Sequence, residues 1–227
     1  MAAAKPTSIS RRVAALALPV VLLPSMLWVF RASCARLGHP LGYLLGFGVY
    51  WLFWCLLVPT ILLGGWRLVC DLFRPFPRLC ALSWPTQALL WWPVLFPLTF
   101  VFVRRVASAG PAILLVSIAL GIVIGVTEEI LWRGLFLRLF PRNLWLGLIY
   151  PSLMFALWHI APQSVLPSRM AGGVTAFVAY AFLLGITYGA AARQTGSIAW
   201  PTIAHIVHDS LGLGGYVYAA WLTRTLG

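Results

Sequence analysis

The sequence predicts an all-α polytopic membrane bundle of seven, possibly eight, transmembrane helices. Three observations predict it. Of 227 residues, 62% are hydrophobic and 9% are charged, with a mean hydropathy of +0.94, a balance that soluble domains seldom show. Apolar runs near the roughly 20 residues needed to cross a bilayer recur along the chain. Arginines fall mostly between those runs, as topology determinants do. Residues 1–227 therefore read as a single integral membrane domain, with residues 111–223 carrying the polar side chains of interest.

The first span runs from about Val13 to Phe30 and contains Pro19 and Pro24, which membrane helices tolerate. It follows Lys5, Arg11 and Arg12 and so resembles a signal peptide, but no small-residue cleavage site is evident, and it reads as a retained helix. Arg31 to Pro40 is a polar loop. The second span is about Leu41 to Leu63. Gly64 to Gln87 mixes Arg67, Asp71, Arg74 and Arg78 with Trp66, Leu68, Phe73 and Phe76; it is too polar to span and reads as an interfacial segment or a connecting loop. The third span, about Ala88 to Val103, carries Pro93 and Pro97 and ends at Arg104 and Arg105. The fourth, about Pro111 to Phe140, is long enough to tilt or protrude. The fifth is about Leu144 to Ile160 and the sixth about Gly172 to Ala192. The last, Ile198 to Leu222, is one helix or two pieces broken at Gly212-Leu213-Gly214-Gly215.

The net charge of +12 forms no continuous basic face, which excludes nucleic acid as a partner and leaves the lipid bilayer. With the N-terminus cytoplasmic, nine basic residues fall inside and six outside, with Arg133 in the membrane, a modest positive-inside bias. Fifteen of the 16 basic residues are Arg, a composition that hints at a GC-rich bacterial genome; the expected location is the bacterial inner (cytoplasmic) membrane. Cys34, Cys55, Cys70 and Cys80 have no CxxC spacing and read as small apolar residues in or near spans.

The fourth span holds the exception to this apolar pattern: Gly121-Ile122-Val123-Ile124-Gly125-Val126-Thr127-Glu128-Glu129-Ile130-Leu131-Trp132-Arg133-Gly134. A charge at the centre of a membrane helix costs roughly 2.5–3.5 kcal/mol on insertion scales, so such residues read as a functional site with a partner. Glu129 and Arg133 are four apart, in the favourable order for an ion pair. Glu128 is rotated from Glu129 by about 100° and has no local partner, so it faces another helix. Gly121 and Gly125 form a GxxxG that admits a neighbouring backbone. Phe155 and His159 share a face in the fifth span. In the last, His205 and Asp209 are one turn apart, and His208 either joins their face or points away. Three of the four acids and three of the four histidines thus lie in three apolar spans. That set, a carboxylate base, an imidazole and a second group of donors, suits attack of water on an amide and stabilisation of an oxyanion. No serine-nucleophile elbow, P-loop, dinucleotide fingerprint or HExxH is present. A zinc ion held by Glu, His and Asp from separate helices stays open at this level.

These residues resemble the CPBP family of type II CAAX prenyl endopeptidases and related bacteriocin-processing proteins, whose pattern is EExxxR, FxxxH, then HxxxD or HxxxN. Here Glu128 through Arg133, Phe155 through His159 and His205 through Asp209 match it in order, within roughly Gly121 to Leu211. The resemblance implies catalytic roles: Glu128 as general base, His159 sharing its water, and His205 with Asp209 at the oxyanion. Glu129, Arg133 and Phe155 take supporting positions. It further implies an intramembrane endopeptidase, glutamic in mechanism and needing no cofactor, with a zinc-dependent version as the competing view. The substrate would be a membrane-associated protein or peptide. Two alternatives stay open: a non-catalytic membrane binding or immunity protein on the same fold, and a proton-coupled transporter. The sequence leaves the substrate, the oligomeric state and the side on which the site opens unspecified.

Overall fold

The computed structural model describes residues 9–168, 170–212 and 214. Among them the chain is helical throughout, with no strand. Helix α1 is Ile9–Leu37 and α2 is His39–Leu63. Helix α3 comprises residues 84–109 and α4 residues 111–139. Helix α5 is Trp145–Gln163, α6 is Gly173–Thr195 and α7 is Ala199–Leu211. Five described stretches are long and apolar enough to cross a membrane, one of them the 56-residue run Trp84–Leu139. Gly110, at φ 73° and ψ 163°, breaks that run just before Pro111, which makes it the expected third and fourth spans. The third is longer than the sequence suggests: Arg104 and Arg105 do not end it, and helix continues to Ala109. Helix α7 has 13 described residues, too few to cross a bilayer by themselves. The rest of the expected last span, including most of its glycine break, lies outside the described residues. The chain is an integral membrane protein; its described part supports six long apolar helices and this shorter seventh.

The helices bury one stripe against each other and leave the rest apolar. In α1, Ala15, Leu18, Leu22, Met26 and Phe30 recur every three or four residues and are buried, while Val20, Val21 and Trp28 are exposed. Exposed apolar groups of this kind suit contact with lipid rather than water. Gly38, with φ 77°, turns the chain from α1 into α2 in one residue. The pair then packs backbone to backbone: a Cβ at Gly42 would collide with the Cys34 nitrogen, and Ser33 Oγ donates to the Gly42 carbonyl at 2.8 Å.

The polar stretch between α2 and α3 is neither a free loop nor a purely interfacial segment. Val69 and Leu72 are buried, and the Leu72 carbonyl accepts from the Ile198 amide at 3.0 Å and from Ser197 Oγ at 3.3 Å. Trp200 Nε1 donates to the Pro77 carbonyl at 2.8 Å. The segment thereby secures the start of α7, which a short helix needs. Trp66 and Phe76 on the same stretch remain exposed.

The closest helix pair for the site is α4 with α7. The expected close approach at Gly121 and Gly125 is made by α7. A Cβ at Gly121 would meet the Ile206 carbonyl oxygen at 2.9 Å and the Ser210 nitrogen at 3.0 Å; at Gly125 it would meet the Ile206 nitrogen at 2.9 Å. These are backbone atoms, so a side chain there must push the helices apart. Gly125→Val should therefore destabilise the fold by about 1–3 kcal/mol. Gly48→Ala, where a Cβ meets nothing within 4 Å, should be neutral or slightly stabilising. Unfolding of the detergent-solubilised variants checks this, and equal stability of the two would contradict the packing.

Candidate active site

The tail of α4 turns a membrane helix into a polar wall. Its hydrogen bonding widens to a π-helical stretch over Ile130–Leu135, directly after the two glutamates. Such stretches are frequent at functional sites, because the inserted residue re-aims its neighbours. Glu128, Glu129 and Arg133 are all buried, as are His205 and His208 on α7.

Glu129 is the hub. Its Oε1 lies 2.9 Å from Arg133 Nη1 and 2.9 Å from His205 Nδ1. The pairing with Arg133 follows the sequence expectation; the bond to His205 links α4 to α7 and was not legible in the spacing. Arg133 also donates through Nη2 to the Leu184 carbonyl of α6 at 3.3 Å. Its guanidinium sits 4.3 Å from the centre of the Phe155 ring and 5.8 Å from that of Tyr188, within cation–π range. Phe155 is thus the apolar lid on the arginine as well as the residue one turn before His159.

His205 is oriented by acids on both edges. Nδ1–H donates to Glu129, and Nε2 stands 3.4 Å from Asp209 Oδ2 and 3.8 Å from Glu128 Oε2. Because Nδ1–H is committed, Nε2 carries a proton only when the ring is an imidazolium. His159 is held by its own helix: Nδ1–H donates to the Phe155 carbonyl at 2.8 Å, which leaves Nε2 as a lone-pair acceptor. Its ring meets Phe155 edge to face at 4.8 Å and lies 5.4 Å from Phe177 of α6.

Glu128 faces away from the Glu129–Arg133 pair, as the helical rotation requires. It opens on a cavity of about 840 Å³ shared with Phe155, His159, His205, His208 and Asp209. Glu128 and His159 line this space without touching each other. The remaining walls are largely apolar and aromatic, with Phe47 and Trp51 from α2 and Phe96 from α3. All the sequence-nominated polar residues except Glu129 and Arg133 line the cavity; those two brace it from behind.

Two groups behind Glu128 were missed by sequence reasoning. Trp132 Nε1 donates to the Tyr50 hydroxyl at 2.7 Å, which leaves that hydroxyl its own proton on the side of the site. Tyr50 is fully buried in α2, in a π-helical stretch, and stacks on Trp158 at 3.5 Å between ring centres. Nothing in its sequence neighbourhood marks it out, since it is one aromatic in an apolar run. Among the described residues no group of three His, Cys, Asp or Glu side chains is placed to hold a metal ion.

Removing one member of a buried ion pair leaves its partner uncompensated. Arg133→Ala should cost about 3–5 kcal/mol in stability, although the residue does not line the cavity. Chemical unfolding in detergent measures this. A loss under about 1 kcal/mol, the range of an exposed ion pair, would show that Glu129 does not depend on Arg133.

Comparison with known proteins bears on the same segment. Residues 110–211 match the family model described as type II CAAX prenyl endopeptidase Rce1-like. An uncharacterised 24.3 kDa protein of Escherichia coli is 28% identical over 107 residues, which cover 45% of this chain and 45% of that protein. The chain thus aligns with about half the length of that relative. No solved structure matches. The segment that resembles the Rce1-like type II CAAX prenyl endopeptidases, residues 110–211, is the one that brings Glu128, His159, His205 and Asp209 to one cavity.

Proposed function

We propose that this protein is an intramembrane endopeptidase of glutamic type, hydrolysing a peptide bond of a membrane-associated protein or peptide. The observation that carries the reading is the sharing of one largely apolar cavity by a buried carboxylate, Glu128, and an imidazole, His159, whose Nδ1–H is already spent on the Phe155 carbonyl. Two acceptors face the same space, an arrangement that suits holding a water by both its hydrogens. The similarity of residues 110–211 to the Rce1-like family model supports a peptidase in general.

The steps use side chains alone. A water bridges Glu128 and His159 Nε2. Glu128 takes one proton as the oxygen adds to the scissile carbonyl carbon, and the carbonyl π bond becomes an oxyanion. His205, as an imidazolium, offers Nε2–H to that oxygen. Asp209 stands 3.4 Å from the same nitrogen. As a carboxylate it has no hydrogen to donate, so its role is to orient and balance His205 rather than to touch the oxyanion. Collapse of the intermediate breaks the C–N bond, and the proton held by Glu128 passes to the departing nitrogen. The products are a carboxylic acid and an amine, and Glu128 returns to its starting state. Glu129 and Arg133 hold His205 in place throughout, and the Tyr50 hydroxyl steadies Glu128.

Glu128→Gln keeps the shape and removes the base. It should lower cleavage by at least about 10²–10⁴-fold while the protein still folds. New protein termini are compared in membranes of cells carrying wild type or the variant at matched expression. Termini that appear only with wild type identify the substrate; the same termini at the same rate with Glu128→Gln would sink the reading in favour of a non-catalytic role.

A further inference from the structure

His208 lies outside the three motifs, yet the structure gives it a defined chemical state. Pro97 has no N–H, so the Pro93 carbonyl four residues earlier lacks its helical donor. Two side chains from other helices fill that vacancy: His208 Nδ1–H donates to the Pro93 carbonyl at 3.1 Å, and the Tyr180 hydroxyl donates to it at 3.2 Å. A carbonyl only accepts, so Nδ1 must carry the proton and Nε2 of the neutral ring is a lone-pair acceptor. Tyr180 lies nearly parallel to the His208 ring, 5.8 Å between centres, and limits its rotation. The ring is 8% exposed and lines the cavity that holds Glu128 and His159. Its Nε2 has no hydrogen-bond partner among the described residues.

We infer that His208 is a substrate-binding residue whose Nε2 accepts a hydrogen bond from a backbone N–H of the peptide. This rests on the peptidase reading and adds to it how the substrate is held. His205 and His208 rings are 6.5 Å apart along α7. An extended peptide repeats every two residues at about 6.6 Å and presents its carbonyls and amides alternately to each side. A peptide with one carbonyl at His205 therefore brings an N–H on the same edge close to His208. The walls supply acceptors in Glu128, His159 and His208, and a peptide backbone is rich in the donors they lack. The substrate is accordingly recognised, in part, as unfolded extended main chain, independently of its side chains.

The test separates binding from catalysis. In the Glu128→Gln background, a short fluorescent peptide of apolar residues is titrated in detergent micelles, alongside copies N-methylated at one amide at a time. His208→Asn keeps a donor for the Pro93 carbonyl but removes the Nε2 acceptor. It should weaken binding roughly tenfold, as loss of a buried hydrogen bond does. One N-methylated peptide should show the same loss with the parent histidine and little further loss with His208→Asn, the signature of a direct pair. Nitrogen NMR of labelled histidine should report the Nδ1–H tautomer, and Pro97→Ala, which returns a helical donor to the Pro93 carbonyl, should weaken that preference. Binding insensitive to His208→Asn, absence of peptide binding, or an Nε2–H tautomer overturns the inference. If His208→Asn does not fold, the N-methyl series and the tautomer decide it. Cleavage by wild type that Glu128→Gln does not reduce would instead count against the peptidase reading, and it leaves these binding results interpretable by themselves.

Discussion

The arrangement depends on one carboxylate oxygen. Glu129 Oε1 accepts from His205 and pairs by charge with Arg133, and Arg133 reaches on to the Leu184 carbonyl. One shared contact therefore ties α4, α7 and α6 together inside an apolar bundle. In water each of these links would be weak. Sequestered from water, a charge left without its partner is costly, so the three groups hold one another in a single geometry. Glu128, one residue earlier and turned by helical rotation, meets that network only at His205 Nε2, 3.8 Å away, and opens to the cavity.

A second constraint sets the histidines. Each of the three rings at the site has its Nδ1 edge occupied by a fixed acceptor: His159 by the Phe155 carbonyl, His205 by Glu129 and His208 by the Pro93 carbonyl. The Nε2 edges of His159 and His208 are thereby left as acceptors. Two of the three anchoring groups are main-chain carbonyls, and one of these is available because a proline removes its usual donor. Helix irregularity here is part of the construction. The π-helical stretches at Tyr50–Leu57 and Ile130–Leu135 place Tyr50 and Trp132 in contact behind Glu128.

Much of the site was legible in advance. Charged residues in an apolar run are conspicuous because insertion penalises them, and the spacing of Glu129 and Arg133 defines a pair by helix geometry alone. GxxxG foretold a close helix neighbour, though not which one. What stayed hidden has a common physical character. The Glu129–His205 bond joins residues 76 apart, the Trp132–Tyr50 bond residues 82 apart, and the His208–Pro93 bond residues 115 apart. Periodicity within one helix carries no information on such pairs. The polar stretch after α2 misled for the same reason: its charges argue against a span, but its docking onto the start of α7 is decided by Leu72, Ser197 and Ile198 together.

The sequence by itself determined the environment and the cast. Hydropathy dictates a membrane bundle, since no other solvent accommodates such runs. Helical periodicity dictates which neighbours in one helix share a face, and the motif spacing marks Glu128, His159, His205 and Asp209. Only the tertiary structure decided the partners: that α7 lies against the glycines of α4, that Glu129 rather than Glu128 binds His205, and that His208 faces the cavity with its Nε2 lone pair free. Those outcomes follow from side-chain packing between helices far apart in the chain, where distance and angle, rather than residue type, choose which of several competent polar groups meet.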